Sequence, residues 1–299
     1  MRRQPCGRAL CGACPHQRND LVSATMCRWM AYSGSPVLLE ELLFKPKHSL
    51  IDQSMSSHSL DTPTNGDGFG VGWYDPRGRA GLFRSIRPAW NDFNLREIAA
   101  LTESSLFLAH VRATSQATIQ ETNCHPFRHG RWLFVHNGEI QEIEKIRRDL
   151  LFRIDPRLFP HVQGTTDSEV MFFLALTFGL ESEPVEAVQR MAGFVEDVAR
   201  RNGIADPIWM TLGFSDGQKL YAVRYATDGD APTLYHSRAM EDLYRLNPAL
   251  RDRFSADARA IVSEPPGEAA VGWAEIPQKT VAIVERGEIA FRPFEPRIP

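Results

Sequence analysis

The apolar positions of this chain come in short, dense blocks separated by turn-forming residues. Residues 27–33 (CRWMAYS) form one such block, and Gly34, Ser35 and Pro36 close it, which predicts a strand and then a turn. Residues 37–44 (VLLEELLF) predict a short helix stopped by Pro46. Residues 67–74 (DGFGVGWY) alternate glycine with bulky side chains, the pattern of a strand whose backbone something approaches closely. Residues 106–112 (LFLAHVR) and 132–136 (WLFVH) predict buried strands.

The middle of the chain changes period. Residues 141–151 are charged on one side and apolar on the other, as in a surface helix. Residues 168–180 (SEVMFFLALTFGL) are apolar nearly all round, which predicts a buried helix, and residues 185–201 are amphipathic. Strand patterns then return. Residues 210–214 and 219–225 flank Ser215-Asp216-Gly217-Gln218, and residues 280–285 and 288–294 flank Arg286-Gly287, two hairpin signals. Hairpin-joined strands with helices grouped between them predict an α+β fold with antiparallel sheets.

Composition narrows the function classes. The 299 residues are 43% hydrophobic and 24% charged, an ordinary globular mixture with material for a sizeable core. A net charge of −3 argues for neither nucleic acid nor membrane as partner, and no apolar run reaches the ~18 residues of a membrane span. The five cysteines, Cys6, Cys11, Cys14, Cys27 and Cys124, are odd in number and clustered early. That fits a reducing cytoplasm better than a secreted disulfide framework. Residues 1–26 stand apart, with four arginines against the single acid Asp20 and no secretory apolar stretch. They read as a mis-started extension, a removed segment or a functional arm. The expectation is that they are exposed, irregular and outside the working protein, and that residues 27–299 form a single domain.

Four positions carry candidate chemistry, and each has a plainer reading. Cys27 follows Met26, so trimming at that point makes it the first residue. A free N-terminal cysteine joins a nucleophilic thiol to an α-amine that titrates near 8 and can act as general base. The plainer reading is a small residue in a buried strand. Asn137-Gly138 follows an apolar strand and can supply an amide and a backbone N–H to an oxyanion, or can simply be a turn. Arg112 at a strand end can grip a carboxylate with two prongs, or can be solvated. Asp167, before the buried helix, can bind an ammonium, or it or Ser168 can cap the helix.

Together these positions resemble the class II glutamine amidotransferases, whose nucleophile is an N-terminal cysteine. The likeness runs from Met26-Cys27 through Asn65-Gly66-Asp67-Gly68-Phe69-Gly70 and His110-Val111-Arg112-Ala113-Thr114. It continues in Asn123-Cys124-His125-Pro126-Phe127, His136-Asn137-Gly138 and Thr166-Asp167-Ser168-Glu169. Three further blocks resemble a stand-alone branch of that family: Pro46-Lys47-His48-Ser49-Leu50, Gln53-Ser54 and Ile261-Val262-Ser263-Glu264-Pro265. That branch holds bacterial YafJ-type proteins, ergothioneine-pathway γ-glutamyl hydrolases and the amidotransferase-like subunit of the yeast-type glutathione-degrading complex. The resemblance implies a four-layer αββα sandwich of two stacked antiparallel sheets, the Ntn-hydrolase type. It implies hydrolysis of a γ-glutamyl amide, such as glutamine or a glutathione-like compound, through a Cys27 thioester. Asn137 and Gly138 would form the oxyanion hole, Arg112 and Asp167 would hold the substrate's α-carboxylate and α-ammonium, and Thr114 would assist Arg112. It implies no cofactor or metal, a small-molecule substrate and, as a further partner, a separate subunit receiving the amine. The sequence leaves homo-oligomerisation open.

Rival readings remain. Cys6, Cys11 and Cys14, with Cys27 or His16, have the spacing of part of an iron–sulfur loop. Cys124-His125 offers a second thiol–imidazole pair, though neighbours in an extended segment point apart, which leaves His136 as an alternative base. His110, His125, His129, His136 and His161 lack the spacing of a metal site. A non-catalytic interaction subunit that kept the fold is the remaining alternative.

Overall fold

The computed structural model describes residues 27–55, 64–113, 118–238, 255–266 and 272–299. Within them, Arg28–Leu38 is β1, Phe69–Tyr74 β2, Ala80–Ser85 β3, Glu103–Val111 β4, Phe127–His129 β5 and Trp132–Ile140 β6. Ile208–Ser215 is β7, Leu220–Ala226 β8, Tyr235–Ser237 β9, Arg259–Val262 β10, Trp273–Glu275 β11, Thr280–Glu285 β12 and Glu288–Pro293 β13. The helices are α1 (Glu40–Leu43), α2 (Leu50–Met55), α3 (Phe93–Leu101), α4 (Ile143–Arg153), α5 (Asp167–Thr177) and α6 (Pro184–Arg201). One sheet runs β11-β9-β10-β1-β4-β2-β3 and the other β13-β12-β8-β7-β6-β5. Every described pairing is antiparallel.

The strands are apolar on both faces because each sheet is covered twice. In β1, Trp29 and Ala31 face the other sheet, where they meet Leu133 and Val135 of β6 and Ala222 of β8. The intervening Met30 and Tyr32 pack beneath α1, α2 and α3. In β6 the partition repeats, with Phe134 turned toward Phe172 of α5. The order is therefore helices, sheet, sheet, helices, the expected αββα sandwich. The all-round apolarity of α5 has the same cause, since Val170 through Ala175 are all buried between the second sheet, α4 and α6.

Two local expectations need correction, and one pair of alternatives is decided. Gly34-Ser35-Pro36 does not end β1. The strand passes through it with a register shift between Ser33 and Val37. Ala258 packs 2.7 Å from where a Gly34 side chain would begin, and Ser35 and Ser255 bond to each other's backbone, so the segment is held as a bulge. Val37 and Leu38 then pair with Ser104 and Glu103, which shortens the predicted helix to Glu40–Leu43. A short apolar run does not by itself separate strand from helix. Finally, Asn137 and Gly138 form no turn. They lie inside β6, opposite Thr211 and Met210 of β7. Gly138 has φ +139°, and a side chain there would collide with the Trp209 carbonyl. The short elements α2, α3, β3, β5, β9, β10 and β11 carry too few residues of clear period to be separated from loop in the sequence.

Candidate active site

Strand register brings the candidate residues to one end of the sandwich. Arg28 opposes Val111, so the next step out places Cys27 level with Arg112. The Cys27 thiol is half-buried and donates to the Ala113 carbonyl at 3.3 Å. By strand alternation Cys27 shares the face of Trp29, which looks toward the second sheet. Trp29 Nε1 donates to Thr211 Oγ1 at 3.0 Å, and Thr211 is the cross-strand partner of Asn137. Directly opposed residues of an antiparallel pair share a face, and Leu133 and Val135 put Asn137 on that same face. Its amide therefore looks toward the first sheet, beside the strand that begins with the thiol. Asn137 is 3% exposed, and its side chain makes no hydrogen bond among the described residues.

Arg112 is 3% exposed. Its guanidinium donates to the Asp67 carbonyl at 3.3 Å and the Thr118 carbonyl at 3.4 Å, two long contacts to neutral oxygens. Its backbone N–H bonds Gly68 O at 2.8 Å, and its carbonyl accepts from Asp67 N, which extends the ladder past the strand end. No carboxylate pairs with it among the described residues. A buried cation without a counter-ion is costly, so the arrangement favours an incoming anion.

Asp167 opens α5 without capping it. Thr166 is the N-cap, its side chain accepting from Glu169 N at 3.2 Å, which corrects the expectation for Asp167 and Ser168. The helix begins at Asp167, one residue before its apolar run, which leaves the cap position to Thr166. Asp167 instead accepts from Ile140 N at 2.8 Å, from Ser168 N at 2.7 Å and from Ser168 Oγ at 3.2 Å. It has no cationic partner among the described residues. Ser168 in turn meets His136 Nδ1 at 2.8 Å, and Asn123 ties the preceding loop down through Thr165 N at 2.7 Å.

The thiol feels all of these charges. Burial raises its pKa above the usual value. The bond to Ala113 and the charge of Arg112 lower it, and the charges of Asp167 and Asp67 raise it. Cys27, Arg112 and Asp167 thus occupy one electrostatic neighbourhood. Asp67 is an addition that the sequence reading did not single out, although it sits in the Asn65-to-Gly70 block. Thr114 lies outside the described residues, as do residues 1–26 with Cys6, Cys11, Cys14 and His16.

The rival thiol is placed differently. Cys124 is fully buried, its sulfur 3.4 Å from Ser85 O and 3.7 Å from Gln120 O. Burial pushes its pKa up to about 11. His125 stacks on His110 at 4.2 Å between ring centroids, and His136 is engaged with Ser168, so neither ring bonds the Cys124 sulfur. His129 and His161 touch edge to face at 5.0 Å. Among the described residues, no three His, Cys, Asp or Glu side chains gather as metal ligands would, and no helix is long and apolar enough to cross a membrane.

Comparison with known proteins gives a consistent picture. A family model for class-II glutamine amidotransferases matches residues 47–296, a span that begins after Cys27. The probable glutamine amidotransferase DUG3 of Saccharomyces cerevisiae is 31% identical, covering 90% of this chain and 84% of its own. The gamma-glutamyl-hercynylcysteine sulfoxide hydrolase of Mycolicibacterium smegmatis is 28% identical, over 90% of this chain and all of its own. A solved glutamine aminotransferase class-II domain protein from Silicibacter pomeroyi is 33% identical. It superposes with a TM-score of 0.69 over 91% of this chain and all of its own.

Proposed function

The chain belongs to the class II glutamine amidotransferases, and on that premise we propose that it hydrolyses a γ-glutamyl amide through a thioester on Cys27. The observation that carries this reading is a complementary pair of unpaired charges. Arg112 is buried without an anion and Asp167 is without a cation among the described residues, and the half-buried thiol lies within electrostatic reach of both. That pattern matches the α-carboxylate and α-ammonium of a glutamyl group whose γ-carbonyl meets the sulfur.

In this reading the working chain begins at Cys27 and residues 1–26 are no part of it. The α-amine takes the thiol proton, and the thiolate adds to the γ-carbonyl. The Asn137 amide and the Gly138 N–H bind the resulting oxyanion, at roughly 3 kcal/mol per good donor. The α-ammonium returns its proton to the leaving nitrogen, the C–N bond breaks, and a thioester remains. Water, deprotonated by the same amine, then releases glutamate. Thr114 supports Arg112. Each proton is accounted for by the amine, the leaving group or water.

The relatives' names support a γ-glutamyl substrate and differ over the amine, which is ammonia, a cysteinyl compound or another amine, released or handed to a separate subunit. Cys27 and Cys124, both free thiols among the described residues, suit a reducing cytoplasm. The test uses protein whose first residue, verified by intact mass, is Cys27. It is incubated with glutamine, glutathione and other γ-glutamyl amides, then acid-quenched. Glutamate release and a glutamyl adduct on Cys27 are expected for at least one of them. Absence of both across the series would overturn the reading.

A further inference from the structure

Four sequence blocks that the chemistry above does not use meet around one ion pair. Arg28 immediately follows the nucleophile, and its side chain lies on the opposite face of β1 from the thiol. Its Nε donates to Glu264 Oε2 at 2.5 Å, and a terminal nitrogen donates to Asn65 Oδ1 at 2.8 Å. Glu264 also meets His48 Nε2 at 3.3 Å through its other oxygen. Gln53 Nε2 bonds the carbonyls of His48 and Glu264, at 3.2 and 3.4 Å, and Asn65 N bonds Ser54 O at 2.8 Å. The adjoining backbone is clamped as well, with Trp29 N donating to Ser263 Oγ and Ser263 N to Trp29 O, both at 3.0 Å. His48 and Gln53 come from one segment, and Asn65 and Glu264 from two others.

This network is expensive as a purely structural device. Arg28, Asn65 and Gln53 are buried, and Glu264 is largely covered. Desolvating an ion pair generally costs as much as the pair returns, and apolar residues of like volume would hold the layer as well. A geometric role accounts for it better. A nucleophile at the start of a chain has no preceding residue to hold it, and chain termini fray. Displacement of a reacting atom by ~1 Å is enough to cost about 10²-fold in rate.

We propose that Arg28 and Glu264 are positioning residues. Their ion pair, braced by His48, Gln53 and Asn65, anchors the first residues of β1 from behind, so that the Cys27 thiol and α-amine keep their register with Arg112 and Asn137. The inference rests on the reading of Cys27 as nucleophile. Arg28 takes no part in the chemistry itself, so its loss acts on turnover and leaves substrate grip intact.

The test uses protein starting at Cys27, with rates expressed per Cys27 thiol reactive to an alkylating label. Arg28→Met is expected to lower kcat about 10- to 100-fold with KM within about twofold. Arg28→Lys should recover part of the loss, and Glu264→Gln should cost about 3- to 10-fold. Should Arg28→Met fail to fold, the double variant Arg28→Met/Glu264→Leu keeps the test sharp. Replacing both charges should hold the melting temperature within a few degrees of the parent, while kcat stays low. A double variant with parental kcat per reactive thiol would overturn the positioning role. An active Cys27→Ala protein would instead overturn the underlying reading, so the two failures are told apart.

Discussion

The described residues hold two free thiols, in neighbourhoods that differ in almost every respect. Cys27 sits where β1 begins, half-buried, with one carbonyl for a partner. Around it stand a buried arginine, an aspartate and an amide whose side-chain valences are not used up within the described residues. Cys124 is walled in by the carbonyls of Ser85 and Gln120, and its sulfur lies 2.6 Å from where a Gly68 side chain would begin. Arg112 lowers the pKa of both thiols, so proximity to a positive charge does not distinguish them. The difference lies in the rest of the environment. One thiol borders groups still able to bind something, and the other borders groups already satisfied. Reactivity follows access and unspent hydrogen-bonding capacity, and burial of a satisfied thiol makes it inert.

The sharpest way to break this contrast is to remove each sulfur in turn. Cys27→Ala should abolish turnover, a loss of at least about 10⁴-fold as for other covalent nucleophiles, with substrate affinity in equilibrium binding largely kept. If Cys124→Ala is the dead protein, the assignment of the two thiols is reversed. Next in size is the N-terminus. An amide nitrogen has its lone pair delocalised into the carbonyl and is not basic. Protein retaining residues 1–26 should therefore be slower than protein starting at Cys27 by about 10²- to 10⁴-fold. Equal rates for the two, with both termini verified by mass, would exclude the α-amine as base.

The free valences around Cys27 are then tested singly. Asn137→Ala should lower kcat about 10²- to 10³-fold, as loss of one oxyanion donor does, with little change in KM. Arg112→Lys should cost about 2–4 kcal/mol in kcat/KM, because an ammonium does not reproduce a planar two-pronged contact. A γ-amide lacking the α-carboxylate should be a poor substrate for the parent and lose little more in the variant. Proportional loss for both substrates would mean that Arg112 supports only the fold.

The smallest expected effect concerns Cys124 itself. Burial raises the pKa of both thiols, so near pH 8 the contrast rests on access: Cys124 is fully buried and Cys27 is half-buried. A mild alkylating agent at that pH should modify Cys27 and leave Cys124 untouched until the protein is unfolded. Labelling of native Cys124 at a rate matching Cys27 would mean that the thiol is not enclosed. Cys124→Ala should keep most activity.

Much was legible in the chain because it depends on local pattern. Alternating and continuous apolar runs located the long strands and the three main helices, and hairpin signals located the turns at residues 215–218 and 286–287. The order of short motifs pointed to Cys27, Arg112, Asn137, Gly138 and Asp167. Only the folded chain decided the rest. Whether Asn137-Gly138 turns or stays extended depends on β7 lying against β6, and whether Gly34-Ser35-Pro36 ends a strand depends on residues 255–258. That Thr166, and neither Asp167 nor Ser168, caps α5 leaves the Asp167 carboxylate for another purpose. The meeting of Arg28 with Glu264, 236 positions away, has no local signal at all. Periodicity records which face of an element is buried, because burial is a property of one residue and its surroundings. The partner across the gap is set by sheet order and register, which belong to pairs of segments and exist only when the layers close.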